Sequence, residues 1–303
     1  MRISSNMKSF FLFILGFLTS LSLPQKVNDF LMWPIATKLL GRNFQSKILL
    51  LDGFYMYGSM DDILSRNILI LGPRKKHLWE PSTSILLEKL SVVAKEIIIA
   101  GSHIGYLVLK AAKVTGGTVH AFEPIPELFK HSQDNFHLNS ELEKKIVLNA
   151  FALGETEGEI ELYSEGIRSS AIPYSGGHTQ HQNIVTVPMT TLDGYTNRKV
   201  IEKVDLILLD IEGFELLVLR GAERVLQGKP DLIIEVSPRV LSHSTITPQM
   251  VEDFLSSKDY AQYFIDDYAK EFSIIPVDID SKKIFLKRDY VNVYATKSLN
   301  NFI

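Results

Sequence analysis

Between Glu96 and Val236, short uninterrupted apolar runs alternate with longer stretches in which apolar side chains recur every three or four residues. The runs Ile97–Ile99, Thr118–Phe122, Lys145–Ala152, Val204–Leu209 and Asp231–Val236 have the length and content of strands buried on both faces. Between them, Tyr106–Lys113, Glu127–Leu138 and Phe214–Leu226 carry the helical spacing. Such alternation predicts an α/β fold, a doubly wound parallel sheet. Ligands in these sheets sit at the carboxyl ends of the strands, so the residues just after each run are the ones to read for chemistry.

Outside this core the pattern changes. Lys26–Leu40 reads as an amphipathic helix interrupted by Pro34, Lys47–Leu51 and Ile68–Leu71 read as strands, and together they predict a small β cap. Ile85–Val93 and Met250–Leu255 read as helices; Glu159–Tyr163 and Val185–Val187 read as added strands, and Tyr263–Ile265 with Tyr290–Ala295 as a closing antiparallel pair. Ser9–Leu23 contains no charged residue and follows Arg2 and Lys8. Its length suits the core of a signal peptide, and an uncleaved membrane anchor or a buried helix remain open beside it. The expected organisation is 1–24 signal peptide or anchor, 25–78 amphipathic segment and β cap, and 79–303 the main domain.

Composition narrows the chemistry. The chain has 303 residues, a formal net charge of -3 and no cysteine. Disulfides, thiolate nucleophiles and cysteine metal sites are thereby excluded, and no basic excess points to nucleic acid. His178 and His181 have a metal-like spacing, but their glycine-rich loop, Ser164–Asn183, offers no helix to align them, so no metal is expected. Reading the strand ends instead finds Gly101, Ser102, His103 and Gly105 after the first run, Glu123 after the second, Asn149–Ala152 in the third, Asp210 and Glu212 after the fourth and Glu235 in the fifth. Glycines at 101 and 105 suit a turn whose backbone approaches a ligand, and an acid at 123 suits two ribose hydroxyls.

These segments, in order, resemble the FkbM-type S-adenosylmethionine-dependent methyltransferases. The resemblance covers roughly residues 46–297 and rests on Trp79-Glu80-Pro81, Gly101-Ser102-His103-Ile104-Gly105-Tyr106, Ala121-Phe122-Glu123-Pro124, Asn135-Phe136-His137-Leu138-Asn139, Ala152-Leu153-Gly154, Thr191-Leu192-Asp193 and Asp210-Ile211-Glu212-Gly213-Phe214-Glu215. It implies a Rossmann-like class I methyltransferase sheet and S-adenosylmethionine as cofactor. Gly101–Gly105 and Glu80 would meet the methionine end, Glu123 the ribose, Asn149, Ala150, Phe151 and Ala152 the adenine, and Asp210 and Glu212 the transferable methyl. The implied reaction is methylation of a hydroxyl on a sugar, lipid or other small metabolite.

A hydroxyl acceptor needs a base, for which Asp210 and Glu212 are the candidates and His103 the runner-up. One of the two acids can equally cap the following helix. Two positions depart from the family pattern: Ile99 stands where an acid is usual two residues before the first glycine, and His103 replaces an asparagine. Losing a charge-assisted hydrogen bond to the cofactor's ammonium costs about 1–3 kcal/mol unless Glu80 or His103 compensates. A methyltransferase fold kept as a binding or scaffold protein is therefore the competing reading. A nicotinamide oxidoreductase is disfavoured by the missing third glycine of its turn. The N-terminal segment leads to an expectation of membrane association, with secretion after cleavage as the alternative.

Overall fold

The computed structural model describes residues 37–297 apart from 39, 42, 43, 61, 62, 166, 167, 171–182 and 286. Ser9–Leu23, nearly all of the amphipathic segment, and His178 and His181 lie outside the described residues. The chain divides into two compact units with the boundary between Glu80 and Pro81. Among the described residues no helix is long and apolar enough to cross a membrane.

In the first unit, β1 (Gln45–Leu49) and β2 (Tyr55–Ser59) form an antiparallel hairpin in which Leu49 faces Tyr55 and Lys47 faces Tyr57. The expected strand at Ile68–Leu71 is instead the end of helix α1 (Ile63–Leu71). Leu64 and Ile68, and Ser65 and Leu69, are buried pairs four residues apart, a helical face that a four-residue apolar run does not reveal by itself.

The second unit carries an eight-stranded sheet. Its elements are α2 (Pro81–Ser91), β3 (Glu96–Ala100), α3 (Tyr106–Val114), β4 (Thr118–Phe122), α4 (Pro126–His137), α5 (Ser140–Glu143), β5 (Ile146–Asn149), β6 (Ala152–Leu153), β7 (Gly158–Glu165), β8 (Arg168–Ser170), β9 (Asn183–Thr190), α6 (Leu192–Arg198), β10 (Leu206–Leu209), α7 (Glu215–Arg220), α8 (Glu223–Gln227), β11 (Asp231–Val236), α9 (Pro238–Leu241), α10 (Pro248–Ser257), β12 (Ala261–Ile265), β13 (Ile274–Pro276), α11 (Ile279–Phe285) and β14 (Val291–Thr296). The order across the sheet is β13-β12-β14-β11-β10-β3-β4-β5. β5, β4, β3, β10 and β11 are mutually parallel, while β14 runs antiparallel to both β11 and β12. This is the expected doubly wound α/β sheet, with the reversed strand β14 lying between β11 and β12 near one edge. Chain order changes direction between β3 and β10, so the carboxyl ends of those strands form the switch point at which such sheets hold ligands.

Burial explains the strand composition. Ile97, Ile98 and Ile99 of β3 and all four residues of β10 are buried, as both faces of the central strands require. Two expected elements are divided. The run Lys145–Ala152 ends β5 at Asn149 and restarts as β6 in a second, four-stranded sheet, β6-β9-β7-β8. The Asn149 side chain explains the stop: its Nδ2 turns back to donate to the carbonyls of Ala121 and Val147, at 3.0 and 3.1 Å. Phe214–Leu226 is likewise two helices, because the Asp193 carboxylate accepts from the amides of Arg224 and Val225, at 2.8 and 3.0 Å, and so caps a fresh helical start.

Candidate cofactor and methyl-transfer site

The turn after β3 is held from three sides. The amides of Gly101 and Ser102 both donate to the Phe122 carbonyl, at 3.1 and 3.0 Å, fastening the turn to the end of β4. The His103 amide donates to Glu123 Oε2 at 2.9 Å. From α4, Ser132 Oγ donates to the His103 carbonyl and Asn135 Nδ2 to that of Ile104 at 2.8 Å. Gly101 and Gly105 have φ of 82° and 88°, and His103 shares the left-handed region at 51°. A β-carbon at Gly105 would lie 2.4 Å from the Phe136 ring, and one at Gly101 would lie 1.7 Å from the Asp210 carbonyl oxygen. Both glycines are thus demanded first by the protein's own packing, a reason that the expectation of a ligand approach did not contain.

Glu123 is 3% exposed, with Oε1 accepting from the Ile125 amide at 3.0 Å and Oε2 from that of His103. Burial disfavours its charge more than these two amides favour it, and Asp210 adds repulsion, so its pKa is pushed up to about 7. Asp210, half-buried at the end of β10, donates its amide to the Ala100 carbonyl at 3.1 Å. Glu212 follows in a turn at φ 54°, off the strand. Just beyond it, Glu215 Oε1 accepts from the amides of Ile211 and Gly213, each at 3.1 Å, and so fixes the turn that leads into α7. Glu215 is fully enclosed, and burial, with a further contribution from Asp210, pushes its pKa up to about 8. Sequence reading passed over this residue as a site member, although it closes the Asp210–Glu215 segment that was read for chemistry.

The remaining candidates divide. The Asn149 carbonyl accepts the Glu123 amide at 3.0 Å, which puts the end of β5 beside the acid. Its side chain also donates to the Tyr195 hydroxyl at 3.3 Å and is therefore committed to the fold. That hydroxyl meets His120 Nδ1 at 2.7 Å, and His120 Nε2 meets Glu96 at 2.8 Å. Burial lowers the His120 pKa against the opposing pull of Glu96. Ala150 is exposed, and Ala152 is half-buried where it opens β6. Phe151 packs edge-on to Phe122, with ring centres 5.6 Å apart. Glu80 ends the first unit, buried and at φ 43°. Ile99 is wholly buried in β3, between Ala121 and Leu208.

Two observations bear on an S-adenosylmethionine-like cofactor. Ser102 Oγ is buried at the turn with no hydrogen-bond partner, an orphan that a ligand group would satisfy. Glu123 and Glu215 are both lifted in part by the charge on Asp210, so the group of acids is relieved by a cation such as a sulfonium or an ammonium. The residues present fit that group. The sequence matches the family described as Methyltransferase FkbM domain over residues 100–261, more than half of the chain. The chain belongs to the FkbM methyltransferase family.

Solved structures similar to this FkbM-family chain include methyltransferase FkbM from Methylobacillus flagellatus, at 18% identity and a TM-score of 0.42, with 67% of this chain and 43% of that one covered. A putative O-methyltransferase from Klebsiella pneumoniae aligns at 12% identity and a TM-score of 0.40, over 72% and 79% of the two chains. Magnesium protoporphyrin IX methyltransferase from Synechocystis, solved with bound S-adenosylmethionine, aligns at 9% identity and 0.42, over 78% and 85%. The chain therefore spans less than half the length of the Methylobacillus protein. No curated protein matches it significantly by sequence.

The raised acids of this FkbM-family chain set a pH signature. A carboxyl whose folded pKa lies above its unfolded value contributes stability that is present below the unfolded value and lost as pH rises through the folded one. For Glu215 that window runs from about 4.5 to about 8. Glu215→Gln keeps an oxygen for the two amides and removes the titration. Thermal unfolding from pH 5 to 9 is expected to show a shallower loss of stability in the variant than in the parent; equal slopes would reject the assignment.

Proposed function

We propose that the protein transfers a methyl group from S-adenosylmethionine to a hydroxyl oxygen of a sugar, lipid or other small metabolite. The observation that carries this reading is Glu123, a buried acid at the end of β4. Each of its oxygens is fixed by one backbone amide and keeps a lone pair for a ribose hydroxyl. Bound S-adenosylmethionine supplies a methyl on a positively charged sulfur. Around it, the backbone of residues 101–105 and Ser102 Oγ bind the methionine end, Glu123 orients the ribose, and Phe151 borders the adenine. Asp210, half-buried beside the turn, would take the proton that the acceptor hydroxyl loses as the methyl passes to its oxygen, with the methyl–sulfur bond breaking and S-adenosylhomocysteine leaving.

Calorimetric titration with S-adenosylmethionine and S-adenosylhomocysteine, followed by turnover assays on hydroxyl acceptors, tests the reading. Asp210→Asn is expected to lower turnover by roughly 10²–10⁴ while cofactor binding persists; turnover that survives in Asp210→Asn but falls in Glu212→Gln would move the base to Glu212. A folded protein that binds neither ligand would favour the second reading, a methyltransferase fold kept as a scaffold. The observation on that side is Ile99, an apolar residue enclosed in β3 where the family pattern has an acid.

A further inference from the structure

The first unit presents an exposed face that combines apolar and cationic side chains. One side of the β1–β2 hairpin is spent on α1, with Met56 and Leu50 buried. Along β1 the other positions, Gln45, Lys47 and Leu49, are exposed, followed by Leu51 beyond the strand end. Leu49 is 51% exposed, Leu51 48%, and Tyr55, which faces Leu49 across the hairpin, 38%. The Leu51 amide donates to the Gly72 carbonyl at 2.6 Å, fastening the turn after α1 to the chain just beyond β1. That turn carries Arg74, Lys75 and Lys76, all exposed. Lys47 adds a fourth cation, its Nζ lying 4.2 Å from the centre of the Tyr55 ring.

The charge of the whole chain is divided the same way. Residues 1–80 carry ten Lys and Arg against five Asp and Glu, a net of +5; residues 81–303 carry 22 against 30, a net of -8. Two aliphatic side chains and an aromatic one left in water beside a run of cations are the two signals that membrane surfaces read. Apolar groups enter the headgroup boundary, and Lys and Arg gain from anionic lipid. Interspersed charge would have served solubility as well; the segregation calls for a partner of opposite sign. We propose that this face of the first unit, Leu49, Leu51 and Tyr55 with Lys47 and Arg74–Lys76, docks on an anionic phospholipid surface. The contact is separate from any made by the uncharged stretch Ser9–Leu23, and it does not depend on the proposed reaction.

The full chain carrying Leu49→Trp tests this, with the parent and its own two tryptophans as the baseline. Added to vesicles of phosphatidylcholine with phosphatidylserine, the variant is expected to gain a blue-shifted emission component that brominated lipid quenches. Phosphatidylcholine alone is expected to give much less. Replacing Arg74, Lys75 and Lys76 together by Gln in the same background is expected to weaken partitioning on the order of a hundredfold with an unchanged melting temperature. Quenching that is equal on neutral vesicles, or untouched by the triple replacement, would overturn the proposal. So would a dimer in lipid-free solution that the triple replacement dissociates, since the face would then belong to a second copy of the chain.

Discussion

Glu123→Ala is expected to weaken S-adenosylhomocysteine binding by two to three orders of magnitude, read by calorimetry on a protein shown to be folded. The wild-type carboxylate offers one free lone pair per oxygen, and hydrogen bonds to a charged group contribute about 1.5–3 kcal/mol each. Two of them to a ribose correspond to roughly 10²–10⁴ in affinity. Part of this is offset near neutrality, because the free protein holds Glu123 at a pKa of about 7 and must ionise it to bind. The offset has a sign that can be measured. Affinity in the parent should rise with pH up to about 7 and level off above it, whereas the stability of the free protein moves the other way. Its buried carboxyl contributes stability below about pH 4.5 that is lost as pH rises through about 7, a change on the order of 3 kcal/mol. Removing the side chain should abolish the affinity trend and make the stability trend shallower, leaving the part that belongs to Glu215. Alanine also strands the amides of His103 and Ile125, so Glu123→Gln serves as the control that retains one acceptor for them. Unchanged affinity in both variants would remove Glu123 from the site.

The fold was readable where one physical requirement dominates. Central parallel strands are enclosed on both faces, so Ile97–Ile99 and Leu206–Leu209 announce themselves as apolar runs, and the alternation with helical stretches leaves few topologies. The reading failed where a distant side chain decides. The break at Gly221 and Ala222 depends on Asp193, some thirty residues earlier, and the end of β5 depends on the Asn149 amide turning back to Ala121. Ile68–Leu71 failed for another reason: its helical partners Leu64 and Ser65 lie outside the apolar run that caught attention. At the site, the positions of Gly101, Glu123 and Asp210 were legible from strand ends alone. The electrostatics were not, since the raised pKa of Glu215 comes from enclosure that only packing creates. The committed role of the Asn149 side chain was equally hidden, because it depends on Tyr195 arriving from α6.

Gly101→Ala is expected to cost more stability than any other single methyl in the site. Its φ of 82° would strain any L residue, a cost of about 1–2 kcal/mol. The larger cost is steric, since the new β-carbon would lie 1.7 Å from the Asp210 carbonyl oxygen and 2.8 Å from its carbon. Both are backbone atoms, so no rotamer change relieves the contact. Nor can the strands slide apart locally: Leu209 is paired with Ala100, and the Asp210 amide donates to the Ala100 carbonyl at 3.1 Å. Relief therefore means separating the ends of β3 and β10, the switch point on which the candidate site is built. A loss of at least about 3 kcal/mol is expected, a large share of the 5–15 kcal/mol typical of a domain, together with loss of cofactor binding. Gly116→Ala is the matched control. Its added β-carbon would have the mobile Lys95 Nζ at 3.3 Å as the nearest atom, and its φ is not left-handed, so its effect should stay within about 1 kcal/mol of neutral. If Gly101→Ala melts together with Gly116→Ala and binds S-adenosylhomocysteine as the parent does, the close approach of the first turn to Asp210 is not a feature of the folded protein, and the shared electrostatics of Glu123, Asp210 and Glu215 lose their structural basis.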